Sequence, residues 1–207
     1  MSDMALELPL RPITVDEYHR MVEVGIIDSE EHVELLDGRI VTMPPIGPPH
    51  YTAHGLIVEY LVQRLGERAF VAGQASVVLG VYDEPQPDIA VFARRVVSLA
   101  PERPSTDEIY ALIEVADSSI RRDRGPKLRA YARGGIREYL IVELAAQRLR
   151  VQRKPNGEQY DSVRELRPGE TFALEALPDV TLEVKRFFEP AKARALPRAA
   201  AHIVRSP

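Results

Sequence analysis

Short apolar runs and segments whose apolar positions return every three or four residues alternate along this chain; the first kind predicts strands and the second helices. "ITVDEYHRMVEVG" opens the series, with Thr14 as an N-cap, Glu17 three residues on as the return half of a capping box, and Gly25 as a stop. In "HVELLDGRIVTM" the pair Asp37-Gly38 stands between two apolar runs and predicts a β-hairpin with Glu34 on its first strand. After the proline-rich "PPIGPPH", apolar residues at Leu56, Tyr60, Leu61 and Leu65 predict a longer helix. "AFVAGQASVVLGV" reads as a strand broken or bulged near Gly73, and "PQPDIAVFA" as a shorter one.

The stretch from Arg94 to Thr106 reads as a surface loop, followed by the buried strand "IYALIEVA" and a helix from about Asp123 to Arg133 that ends at Gly134-Gly135. Two more strands, "REYLIVELA" and "QRLRVQRK", come next, the second turning at Asn156-Gly157 towards "EQYDSV". "LRPGETFALEALPDVTLEVKRFF" predicts short strands and a closing helical turn. From Glu189 onward alanine, arginine and proline dominate, which predicts a flexible tail over 191–207 behind a single domain of residues 1–190. This order, with one strand-helix-strand crossing, predicts an α/β fold in which a mixed sheet is flanked by helices on both faces.

Composition narrows the function classes. With 207 residues, 45% apolar and 28% charged, the chain can bury a core and is no disordered tail. Its net charge of -4 argues against wholesale phosphate-backbone binding, yet the charge is uneven: Arg121 to Arg137 holds seven basic residues and one acidic one, Asp123. That run is either a solvated helix face or a surface for an anionic ligand. No cysteine is present, so neither a disulfide framework nor a thiolate zinc site exists. No run approaches the ~20 apolar residues that span a bilayer, and no basic segment with an apolar core opens the chain. The expectation is a soluble, cytoplasmic protein that needs no membrane.

Two carboxylates interrupt strand-like apolar runs, Asp88 in "QPDIAVF" and Glu114 in "LIEVA". A buried carboxylate is costly unless it is paired or holds a metal. Neighbouring strands lie ~4.8 Å apart, so carboxylates at matching heights can share a hard divalent cation. The competing readings are a turn aspartate after Pro87 and a glutamate paired with an arginine of the 121–137 run. Of the 27 basic residues four are lysines, and Lys127 follows Glu114 on the next helix, with Arg124 and Tyr131 on the same face. Packed back over its strand, that helix could bring Lys127 to Glu114; the alternative is a surface lysine. His50 and His54, four apart, have neither an intervening glutamate nor a third ligand in sequence to recommend zinc. Ser118 and Ser119 fit a helix cap better than a nucleophile.

"ELLDGRIVTMPP" with "PPH", "PQPDIAVF", "IEVADSSIRRDRGPKLRAYARGGIREYLIVE" and "LRPGETFAL" with "LPDVTLEV" together resemble the Uma-type family of restriction-endonuclease-like proteins, over about Thr14 to Phe188. That family is placed in the PD-(D/E)XK nuclease superfamily. The resemblance implies a restriction-endonuclease-like core and metal-dependent phosphodiester cleavage. It matches Asp88 to the motif aspartate, Glu114 to the glutamate of the next strand, and Lys127 to a lysine carried on the helix. It also matches Glu34 to the glutamate before the hairpin, a further metal or water ligand, and His50 to a histidine opening the next helix. Where the family shows Ser-Pro-Ser-Thr after the glutamate, this chain has Asp117-Ser118-Ser119-Ile120, which adds a charge beside the site.

The reading that follows is a Mg²⁺- or Mn²⁺-dependent phosphodiesterase acting on nucleic acid. Asp88 and Glu114 hold the metal, Glu34 supports it, and Lys127 positions water or neutralises developing charge. His50, Arg121, Arg122 and Arg124 are the expected substrate contacts. Cutting two strands needs two sites, which favours a homodimer. The rival readings are a catalytically silent metal-binding or scaffold protein of the same fold and a metal-assisted hydrolase of a small phosphorylated molecule.

Overall fold

Local signals set the first elements of the computed structural model, which describes residues 10–188 apart from Ser29, Pro44, Ile46, 95–103 and Ser118. Helix α1 (Val15–Glu23) starts on a complete capping box between Thr14 and Glu17. Strands β1 (Val33–Leu36) and β2 (Arg39–Thr42) pair antiparallel around Asp37-Gly38. Gly38 is obligatory there: its φ is +66°, and a Cβ would stand 2.4 Å from Pro12 Cβ. The hairpin docks on the chain at Tyr82 to Glu84 through Gly38 N–H to Tyr82 O (2.8 Å) and a reciprocal pair between Leu35 and Glu84. That contact carries Glu34 inward.

Helix α2 (Pro48–Leu65) buries Ala53, Ile57, Tyr60, Leu61 and Leu65, so its apolar stripe passes through Ile57 where Leu56 was expected. A six-stranded sheet follows in the order β3-β4-β5-β6-β7-β8: β3 (Ala69–Gly73), β4 (Ile89–Ala93), β5 (Ile109–Ala116), β6 (Glu138–Glu143), β7 (Arg148–Asn156) and β8 (Gln159–Leu166). Only β5 and β6 run parallel; the other neighbours are antiparallel. Two cores lie on the two faces. One joins α2 and the C-terminal segment to Ile113, Val115 and Leu140; the other joins Tyr131 and Ala132 to Leu112, Ala116 and Tyr139. The fold is the expected α/β arrangement. Short strands β9 (Thr171–Phe172) and β10 (Leu182–Glu183) and a 3₁₀ turn over Val184–Phe187 close the described chain.

Two expectations are corrected. The strand over "AFVAGQASVVLGV" ends at Gly73, because Gln74 turns left-handed (φ 52°). Val77 and Leu79 are apolar because they are buried in a folded-back loop, bonded to Pro85 O and Asp83 O. The crossover helix begins before Asp123, as α3 (Ile120–Arg122), then widens into a π-helical turn over Asp123–Lys127 before α4 (Leu128–Arg133). Pro126 has no N–H to offer the carbonyl four residues back and its ring would crowd that carbonyl, so the wider turn is the accommodation. Most of the expected 94–106 loop, and the tail over 191–207, lie outside the described residues. Among the described residues no helix is long and apolar enough to cross a membrane.

Candidate active site

Side chains alternate across β5, so Ala111, Ile113 and Val115 join the α2 core while Leu112 and Ala116 join the core under α4. Glu114 therefore projects towards α4. On β4 the register pairs Ile89 with Ile113, and one step further sets Asp88 opposite Glu114. The Asp88 carboxylate takes the Val115 N–H on Oδ2 (2.6 Å) and faces His50 Nε2 from Oδ1 (3.1 Å).

Lys127 is the cation that Glu114 requires. The π-turn places its ammonium 2.8 Å from Glu114 Oε1, 3.2 Å from Glu34 Oε2 and 3.0 Å from the Gln86 carbonyl, which accepts from it. Tyr131 OH donates to the same Glu114 oxygen at 2.6 Å, so both bonds fall on Oε1 and neither uses Oε2. Glu34, Glu114 and Lys127 are 1%, 3% and 3% exposed. Glu34 Oε2 also accepts from Gln86 N–H (3.1 Å), while its Oε1 is buried without a hydrogen-bond partner among the described residues.

One ammonium cannot neutralise this many carboxylates. Burial drives the Glu114 carboxyl well above its ordinary range; Lys127 opposes this, while Asp88, Asp123 and Glu34 add to it. Burial alone would lower the Lys127 ammonium, but Glu114 and Glu34 outweigh it and hold it firmly protonated. Asp88 is likewise resisted by burial, yet His50, the Val115 N–H and Lys127 bring it below the usual value; Asp88 in turn raises His50. Asp123 is pushed up to about 6 by burial, against the Ser119 hydroxyl (2.5 Å) and Lys127.

These groups surround one cavity of ≈ 540 Å³, with Asp88, Glu114, Lys127, His50 and Arg122 on its wall. Glu34 stands behind Lys127. Among the described residues Arg121 and Arg124 do not line it, and Arg124 is spent on Glu143 (Nε to Oε1, 3.0 Å). His54 is not a second ligand beside His50; its Nε2 lies 2.9 Å from the Asp88 main-chain oxygen. Among the described residues no group of three or more His, Asp or Glu side chains is arranged to cage a metal ion.

A family model, Uma2, described as "Putative restriction endonuclease", matches residues 15–185. The chain belongs to the Uma2 family. Among solved structures, a crystal structure described as a "putative nuclease belonging to DUF820" from Anabaena variabilis is similar at 19% identity. The match covers 86% of this chain and 98% of that one, with a TM-score of 0.64, and it shows a shared fold. No curated protein matches.

In this Uma2 site, several residues on the cavity or behind it had no role assigned from sequence. Tyr131 was visible only as a face-mate of Lys127, and Asp123 only as the one acid in a basic run. The Gln86 main chain gave no signal, since any residue supplies a carbonyl. Asp123 offers a test. Its folded carboxyl titrates above the ordinary value of 3.8, so its stability contribution is present below that value and is lost as pH rises through about 6. Asp123→Asn is expected to stabilise the protein by about 2–3 kcal/mol at pH 8 and by almost nothing near pH 3.5, read from urea unfolding at the two pH values. A gain independent of pH would show that charge burial is not the cause.

Proposed function

We propose that this chain is a phosphodiesterase dependent on Mg²⁺ or Mn²⁺ that cuts nucleic acid, with Asp88 and Glu114 as metal ligands and Glu34 in support. The observation that supports this most is two register-opposed carboxylates on one cavity whose charge is unbalanced. Glu34, Asp88, Glu114, Asp117 and Asp123 stand around or behind it against Lys127, Arg122 and His50. The donors are hard oxygens, and Glu34 Oε1 is a buried acceptor with no partner among the described residues. Magnesium is commonly held by one or two carboxylates, with water and phosphate completing its shell, so the donor set fits without a three-residue cage.

When bound, the metal would supply Lewis acidity and a water acidified towards neutrality. The chain's own residues do the rest. Tyr131 and Lys127 fix Glu114 through Oε1 and leave Oε2 to face a ligand. His50 and the Val115 N–H fix both oxygens of Asp88. Lys127, buried and cationic, offsets negative charge as it develops at phosphorus. Arg122 meets the phosphate from the wall.

Titration calorimetry with MgCl₂ and MnCl₂, beside cleavage assays on duplex DNA, single-stranded DNA and RNA, tests the reading. Binding heat and cleavage are expected together, with cleavage lost in EDTA and regained with excess Mg²⁺. Cleavage that survives EDTA would remove the metal from the reading. Metal binding with no cleavage of any substrate would support the silent scaffold.

A further inference from the structure

We infer that the cavity takes an unstacked nucleotide of a single strand, and that an intact duplex is a poor ligand. This rests on the phosphodiesterase reading above and adds its substrate class. Depth is the first argument. Glu114 and Lys127 are 3% exposed and the Asp88 side chain 15%, on the wall of a recess of ≈ 540 Å³. That volume is in the ~300–1,000 Å³ range of small-ligand pockets. A paired strand carries its phosphates on a wide rod that cannot enter such a recess, whereas an unpaired nucleotide can be turned in without an unpairing cost.

The supply of cations is the second argument. Duplex-binding proteins commonly neutralise ~6–10 phosphates. Of the seven basic residues from 121 to 137, four are held by the chain's own carboxylates: Arg124 by Glu143, Lys127 by Glu34 and Glu114, Arg133 by Asp83 and Arg137 by Asp107. Of the other three, Arg121, Arg122 and Arg129, only Arg122 lines the cavity. Its Nε is buried with no hydrogen-bond partner among the described residues, so a donor is held ready for an anion.

The wall around Arg122 is the third. Its Nη1 reaches the Thr42 carbonyl (3.4 Å), which sets the guanidinium beside Met43; Met43 and Pro45 give the same cavity an apolar side. A polarisable thioether and a proline ring suit the face of a base while the guanidinium takes its phosphate. One strand needs one cut, so a dimer is not required.

Fluorescence anisotropy of a labelled oligothymidylate and of a blunt hairpin duplex, with Ca²⁺ in place of Mg²⁺, tests this on the full chain. The single strand is expected to bind at least ~10-fold tighter, with a log K against log salt slope of about -1.4 to -2.1, the value for two or three phosphates. Arg122→Gln is expected to weaken single-strand binding ~10-fold and to flatten the slope by about 0.7. Duplex binding as tight as single-strand binding, a slope near -5, or no binding of either overturns the inference. A dinucleotide that competes as well as the oligomer also overturns it, by reducing the ligand to a small diester. Single-strand preference in binding with no cleavage in Mg²⁺ supports the pocket and defeats the phosphodiesterase reading. Equal cleavage of intact duplex does the reverse.

Discussion

Lys127→Met is expected to destabilise the protein by about 3–5 kcal/mol at neutral pH, the largest stability effect of any single change considered. The ammonium is the shared partner of Glu114 and Glu34, both almost wholly buried, and removing it strands two carboxylates in a low-dielectric place. Glu114 already titrates well above its ordinary range because of burial, and losing Lys127 removes the chief force pulling it down. A folded carboxyl raised above its unfolded value contributes stability that is present at low pH and lost as pH rises. The deficit of Lys127→Met should therefore shrink as pH falls and Glu114 takes up a proton. Adding Glu114→Gln to Lys127→Met should restore a large part of it, since an amide needs no counter-charge and Tyr131 can still donate to its oxygen. Urea unfolding of the three proteins from pH 5 to 8 measures this. A single variant as stable as the parent at pH 8 would mean that the ammonium is not the partner of these carboxylates.

That triad marks where sequence reasoning succeeds. Glu114 interrupts an apolar strand, which made its burial and its need for a cation legible; Lys127 follows on the helix that must fold back over that strand. Thr14 with Glu17 and Asp37 with Gly38 were legible for a related reason, because capping and turn chemistry act within four residues. The alternation of β4 and β5 then placed Asp88 and Glu114 at one height.

What escaped depends on partners distant in the chain. Val77 and Leu79 look like strand residues, yet their burial comes from a loop folded against the α4 face, where Leu79 Cβ stands 2.8 Å from the position a Cβ on Gly134 would take. A periodicity of two cannot distinguish the two cases. The π-turn escaped because a helix read from Asp123 to Arg133 passes through Gly125-Pro126 without any sign of a wider turn, whereas here that turn shifts the register that sets Lys127 beneath Glu114. Arg124 shows the converse. Helical spacing placed it with Lys127, but the turn and Glu143 take it elsewhere.

Asp88→Asn is expected to lower cleavage by on the order of 10²-fold or more and to weaken Mg²⁺ binding by at least ~10-fold, with little loss of fold. The amide keeps the shape, and its oxygen can still accept from the Val115 N–H, so β4 and β5 stay in register. What changes is the charge opposite Glu114 and beside His50. His50 is raised chiefly by Asp88, so its contribution to stability is present below its ordinary value of 6.5 and is lost as pH rises through the raised value. Asp88 is lowered, so its contribution is present above its ordinary value of 3.8 and is lost as pH falls through the lowered value. Both act fully between those two values, and the stability deficit of Asp88→Asn should be widest there and narrow once pH passes the raised His50 value. Above that value the structural and chemical roles separate: a narrowed unfolding deficit with the metal heat and cleavage gone would tie Asp88 to the chemistry. Parental cleavage by a well-folded Asp88→Asn protein would remove Asp88, and the register-opposed pair with Glu114, from the site.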